Sequence, residues 1–175
     1  KHPELLVDTD GMLTDKKLYV TANDFSHEEC RRRKLEIIEE IAGQYDVDGF
    51  ELDYIRHPVL FSRTMRGEPV SDDEIEVMTN FLRRIRKLTD QHGTRRGKPI
   101  LVATIVPDNL GLAKNIGLDI EAWIKDDLID IWIATGYFRL QDWSETVAIA
   151  HEHEVQLWAA LDDSRIVKRE NRNSL

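Results

Sequence analysis

A chain of 175 residues, 41% hydrophobic and 33% charged, is long enough for one domain with a sizeable core and too short for two ordinary ones. Its formal net charge of −9 argues against a general affinity for nucleic acid or anionic membrane, since both require a basic face to neutralise phosphate. The single cysteine, Cys30, excludes an internal disulfide and a cysteine-based zinc site, and no apolar run approaches the length of a membrane span.

The chain opens on Lys1-His-Pro-Glu-Leu-Leu6, with neither an initiator methionine nor the apolar core of a signal peptide, so a soluble piece of something longer is expected. Secretion or a periplasmic location of a longer parent stays open. A weak strand is predicted over Leu18 to Ala22. Ser26 with Glu29 fits a capping box, and Leu35, Ile38, Ala42 and Tyr45 then fall on one face of a helix from about His27 to Gln44. Cys30, among Glu28, Glu29 and Arg31, is expected on the surface or shoulder of that helix. A strand over Val47 to Tyr54 follows. It carries Glu51 and Asp53, which share a face because side chains at i and i+2 of a strand point the same way. A buried carboxylate costs several kcal/mol unless it is paired or lines a polar cavity, so the pair reads as the floor of a site.

After a polar loop, Ser71 with Glu74 forms a second capping box, and Ile75, Met78, Phe81, Leu82, Ile85 and Leu88 mark an amphipathic helix predicted to stop near His92-Gly93. The nearly all-apolar run from Lys98 to Pro107 is of the kind a parallel strand shows when both faces are covered. Ile120, Trp123, Ile124 and Leu128 make a third helical face. Ile129 to Thr135 is a fourth strand, Ser144 to Glu152 a fourth helix and Val155 to Leu161 a last strand; Trp132 and Trp158, both mid-strand, are expected in the core.

Alternating strands and helices mean βαβ units, a parallel sheet and right-handed crossovers. Two architectures fit: a five-stranded doubly wound parallel sheet, and about five of the eight units of a (β/α)8 barrel, whose usual length is about 250 residues. No G-x-G-x-x-G or P-loop is present, which favours the barrel. Polar residues gather where strands run into loops: Asn23 and Asp24, Asp53 and Arg56, Asp108 and Asn109, Tyr137, then Asp162 and Asp163. Both architectures put their chemistry at that carboxyl-terminal rim.

His2-Pro-Glu-Leu-Leu-Val-Asp-Thr-Asp-Gly11, Asn23-Asp-Phe-Ser26 and Tyr45-Asp-Val-Asp-Gly-Phe-Glu-Leu-Asp-Tyr-Ile-Arg-His-Pro58 together resemble the glycosyl-hydrolase-like TIM-barrel family. Members of this largely bacterial group have a fourth strand reading roughly Tyr-Asp-Val-Asp-Gly-Ile-x-x-Asp-Tyr-x-Arg-x-Pro. The resemblance covers about residues 1 to 60; beyond that only the alternation of strands and helices agrees. It implies that residues 1–175 form one partial barrel domain holding the third to seventh strands, and that the activity is hydrolysis of a poly- or oligosaccharide. An open barrel leaves unpaired strand edges, which would favour homo-oligomers.

Glycoside hydrolysis usually needs two carboxyl groups, about 5 to 5.5 Å apart for retention and about 6.5 to 9.5 Å for inversion, and no cofactor. Asp53, at the strand end and at the motif's aspartate, is the first candidate, as nucleophile, base or acceptor for a sugar hydroxyl. Glu51 is a partner acid or a support for Asp53 and Arg56. A second rim acid is sought in Asp108 or Asp162, although Asp108 is equally placed to cap the next turn. Arg56 could hold an acid or bind an acidic sugar, Asn23 offers a donor and an acceptor to hydroxyls, and Tyr137 and Trp143 offer aromatic faces for sugar rings. His57 is a weaker acid/base candidate. His151-Glu-His153 is not read as a metal site, because i, i+2 spacing on a helix splits the two rings between faces. The alternative to a hydrolase is a non-catalytic carbohydrate-binding or structural barrel.

Overall fold

In a computed structural model of the chain, residues 3–7, 22–55, 58–136 and 142–161 are described. The predicted weak strand at Leu18 to Ala22 lies almost wholly outside them. After a 3-10 turn at Pro3–Leu5 the elements run α1 (Glu28–Gln44), β1 (Gly49–Asp53), α2 (Ser62–Met65), α3 (Asp72–Arg96), β2 (Leu101–Pro107), α4 (Leu110–Asn115), α5 (Ile120–Lys125), β3 (Ile131–Thr135), α6 (Ser144–Glu152) and β4 (Gln156–Ala160). The strands form one parallel sheet in the order β1-β2-β3-β4. A flavodoxin-like order would insert the preceding strand between β1 and β2. Their direct pairing, Gly49 with Leu101 through Asp53 with Ile105, overturns that alternative.

Sequential parallel pairing with right-handed crossovers sends every connecting helix to the same side of the sheet. The core follows. Val102, Thr104, Val106 and Trp132 are fully buried and Ala134 nearly so, and of these Val102, Val106, Trp132 and Ala134 pack with Leu35 and Ile38 of α1, Phe81, Leu82 and Ile85 of α3 and Trp123 of α5. The opposite parity, Glu51, Asp53, Ala103, Ile105, Ile131 and Ile133, takes no part in that cluster. Thus the sheet has a helix-covered face and a more open one, exposed at Glu51 and Asp53 of β1 and Trp158 of β4 but closed at β3, where Ile131 and Ile133 are buried.

Local chemistry explains most helix ends. Ser71 and Glu74 make the predicted capping box, with Glu74 N–H donating to Ser71 Oγ at 3.2 Å and Ser71 N–H to Glu74 Oε2 at 2.8 Å. The helix does not stop at Gly93 but runs to Arg96, where Gly97 takes the left-handed φ of 71° and Lys98 N–H reaches back to the Gly93 carbonyl at 3.1 Å. The expected box at Ser26 is absent: the cap position of α1 is His27, with no side-chain cap bond. Ser26 is drawn instead to Asp24, whose Oδ1 accepts its N–H at 2.8 Å, while Glu29 pairs with Arg32 and Arg33. Cys30 is buried on the inward stripe of α1, not on its surface, and burial pushes its thiol up from its ordinary value. Tyr45 lies past the end of α1 and is exposed.

At the amino end of the strands, Arg86 of α3 pairs with Asp130, whose Oδ2 also accepts Val102 N–H at 2.7 Å. One carboxylate thereby ties a helix to two strands. Arg96 donates to the carbonyls of Val47 at 2.6 Å and Pro99 at 3.0 Å, closing the turn before β2. No described helix is long and apolar enough to cross a membrane.

Candidate functional site

Because all four strands are parallel, their carboxyl ends share one edge. Asp53 is the last residue of β1, and its Oδ1 accepts the N–H of Ile55 at 2.8 Å, so the carboxylate itself shapes the turn by which the chain leaves the strand. Tyr54 points the other way. Its ring is buried against Trp123 with centroids 5.8 Å apart, and burial holds its phenol well above the ordinary range. With Tyr54 anchored among the helices, the pleat turns Asp53 and Glu51 to the open face, where both are exposed. Glu51 is therefore not the buried acid expected of a core strand. Gly49 opens the strand where the β2 backbone passes close: a Cβ there would lie 2.6 Å from the Leu101 carbonyl oxygen. The glycine of the Asp-Val-Asp-Gly run thus lets β1 and β2 meet in register.

Asp108 follows the last residue of β2 and is 5% exposed. Its N–H donates to the Thr135 carbonyl at 3.0 Å, its Oδ2 accepts the indole N–H of Trp143 at 2.9 Å, and its carbonyl accepts the hydroxyl of Thr146 at 3.3 Å. It does not cap the next turn. Asn109 does, its Oδ1 accepting Leu112 N–H at 2.8 Å. Trp143 occupies the position before α6 and is half-buried. Two residues named separately from sequence, Asp108 and Trp143, are thus brought together across 35 positions.

Asn23 is half-buried in a short antiparallel bridge with Leu6, flanked by Val7 N–H to the Ala22 carbonyl at 2.9 Å and Asp24 N–H to the Leu5 carbonyl at 3.0 Å. Its neighbour Asp24 is buried and holds the rim together. Its Oδ2 accepts the N–H of Ser62 at 3.0 Å and the Ser62 hydroxyl as well. Burial works against its charge, but the bonds from Ser62 and Ser26 outweigh it and hold the carboxyl below its ordinary value. Asp24 thus ties the segment entering α1 to the segment entering α2, a role that no local sequence pattern signals.

Trp158 is a correction of another kind. It is 54% exposed, not core: the β4 register pairs it with Ile133, which pairs with Ile105, which pairs with Asp53, so it faces away from the helices, and β4 is the last strand in the sheet's order. All four lie on the open face, whereas Trp132 lies on the covered one. His151 and His153 are exposed at the end of α6, and no group of three or more metal-ligating side chains forms among the described residues. Asp162, Arg56, His57 and Tyr137 lie outside the described residues.

The fold and rim define an α/β protein with a parallel four-stranded sheet that carries Asp53 and Asp108 at the carboxyl ends of β1 and β2. No protein-family model matches the chain, and no curated protein matches it. Among solved structures it is similar to a glycoside hydrolase family 18 N-acetylglucosaminidase from Paenibacillus barengoltzii, at 20% identity and a TM-score of 0.48, over 63% of this chain and 30% of that one. The chain therefore spans less than a third of that enzyme, and so slight a likeness has no bearing on which residues act.

Proposed function

We propose that residues 1–175 are one partial (β/α)8 barrel domain and that the protein is a glycoside hydrolase acting on a poly- or oligosaccharide, with Asp53 as the carboxylate that touches substrate. The observation that carries this reading is the position of Asp53: last in its strand, exposed, and turned to the uncovered face at the end where parallel α/β folds assemble their sites. The sequential strand order and the resemblance of Tyr45 to Pro58 to the glycosyl-hydrolase-like barrels support it. Glu51 lies about 6.6 Å back along the same strand, given the usual rise per residue. It approaches a sugar from the same side as Asp53, so it serves better as support than as the acid across the scissile bond. The opposing acid then comes from Asp162 or from another strand.

A second reading, a non-catalytic carbohydrate-binding barrel, draws on one observation. The described positions of β2, β3 and β4 that share the face of Asp53 carry no carboxylate. Turnover of a glycan panel by the full chain, with Asp53→Asn as the control, separates the two. The hydrolase reading expects that variant to lose about 100-fold or more in kcat. Full activity in Asp53→Asn would exclude Asp53 as catalytic, and saccharide binding with no turnover of any glycan would favour the binding reading.

A further inference from the structure

Asp108 has the wrong surroundings for an acid that meets substrate. At 5% exposure it is nearly closed off, and one carboxylate oxygen is occupied by the Trp143 indole at 2.9 Å. Its backbone is fixed from two directions, by the ladder bond to Thr135 and by the Thr146 hydroxyl on α6. The residue therefore joins the end of β2 to the start of α6, reaching past the strand between them.

Trp143 is fixed from its other side as well. Asp142 accepts the N–H of Ser144 at 2.9 Å and its hydroxyl at 2.6 Å, and the Trp143 carbonyl accepts Val147 N–H at 2.8 Å as the first bond of α6. With its backbone held by the helix start and its indole N–H held by Asp108, the ring keeps one orientation, and the residue is only partly buried. A fixed, partly exposed aromatic side chain at the rim suits stacking against the apolar face of a pyranose, because a ring already in place has little rotamer freedom left to lose on binding.

We propose that Asp108 is a positioning residue that acts through Trp143, and that Trp143 is the platform on which a sugar ring stacks. The inference rests on the carbohydrate reading above but asks less of it, since stacking needs no turnover. It also removes Asp108 from the search for a second acid and leaves its carboxylate as a hydrogen-bond acceptor.

The test uses the full chain, the variants Asp108→Ala, Asp108→Asn, Trp143→Phe and Trp143→Ala, and two probes, the β-1,4-linked hexamers of glucose and of N-acetylglucosamine. Without sugar, acrylamide quenching of the Trp143 emission, isolated by difference against Trp143→Phe, should rise in Asp108→Ala. It should return toward wild type in Asp108→Asn, whose amide oxygen still accepts the indole N–H. With the hexamer that binds, Asp108→Ala and Trp143→Ala should each raise Kd about tenfold, and Asp108→Asn should recover it to within about threefold. Unaltered quenching and Kd in Asp108→Ala would overturn the proposal. So would an Asp108→Asn protein that binds well but has lost turnover, for then the carboxylate acts on protons. Binding of neither hexamer would overturn the stacking role together with the carbohydrate reading, whereas full turnover in Asp53→Asn would overturn the catalytic reading alone.

Discussion

The two faces of the sheet are made of the same strands and have opposite economies. On the helix-covered face Val102, Val106 and Trp132 are fully buried, and Trp132 packs in a layer with Met78, Leu82, Ile85 and Trp123. On the open face Glu51 and Asp53 are exposed, Leu101 is 37% exposed and Trp158 is 54% exposed. The covered face is thus fully buried at these positions, whereas the open face buries its β3 row, Ile131 and Ile133. Apolar burial stabilises by about 25 cal/mol per Å² removed from water, so a face that keeps its side chains in solvent gains little from them. What the open face keeps instead is accessible chemistry, and a carboxylate such as Asp53 stays exposed there, whereas Asp24 is buried.

That difference is most easily broken from the covered side. Leu82 is fully buried between α3 and the sheet, and Leu82→Ala should cost about 2–5 kcal/mol in urea unfolding, the lost transfer energy plus the cavity it leaves. A smaller effect is expected at the rim seam. Asp24→Ala leaves the N–H groups of Ser26 and Ser62 without their acceptor and should cost about 3 kcal/mol at pH 7. The same carboxylate gives a pH signature. Its folded pKa lies below its unfolded one, so its contribution is fully present above about pH 4 and is lost as pH falls through the folded value. The gap between wild type and Asp24→Asn in unfolding midpoint should therefore narrow between pH 5 and pH 2; a gap that widens on acidification would contradict the assigned sign. Next comes Thr79→Val. The Trp123 indole N–H donates to Thr79 Oγ1 at 3.1 Å inside the core, and leaving it unpaired should cost about 1.5 kcal/mol, with Thr79→Ser preserving most of the bond.

The sequence makes the covered face legible and the open face much less so, for a physical reason. Periodic apolar residues such as Ile75, Met78, Phe81, Leu82 and Ile85 announce a buried stripe because helix geometry alone puts them together. The Ser71 box is legible for the same reason, since both partners lie within one turn. Ser26 fails because Asp24 competes for it, and Asp24 is itself held in place by Ser62, 38 residues away. The union of Asp108 and Trp143 also depends on tertiary neighbours. Trp158 and Trp132 look alike in sequence, each central in an apolar strand, and only the register shows that they occupy opposite faces. The short helices α2 and α4 leave too few turns for a period to emerge, although Asn109 carries the side chain of a good N-cap.

Trp158 gives the finest test of the contrast. A half-exposed indole with solvent on its outer side contributes little to the folded monomer, so Trp158→Thr, which keeps β propensity, should change stability by about 0.5 kcal/mol. The quantity to measure is the unfolding midpoint of wild type and variant over a hundredfold range of protein concentration. Independence from concentration in both, with nearly coincident midpoints, is the expected result. A wild-type midpoint that rises with concentration while the variant's does not would mean that a second copy covers the open face, and association must then displace water from Trp158. A large loss that does not depend on concentration would instead mean that the chain itself buries the indole, and Trp158 would then belong with Trp132 among the residues that hold the fold.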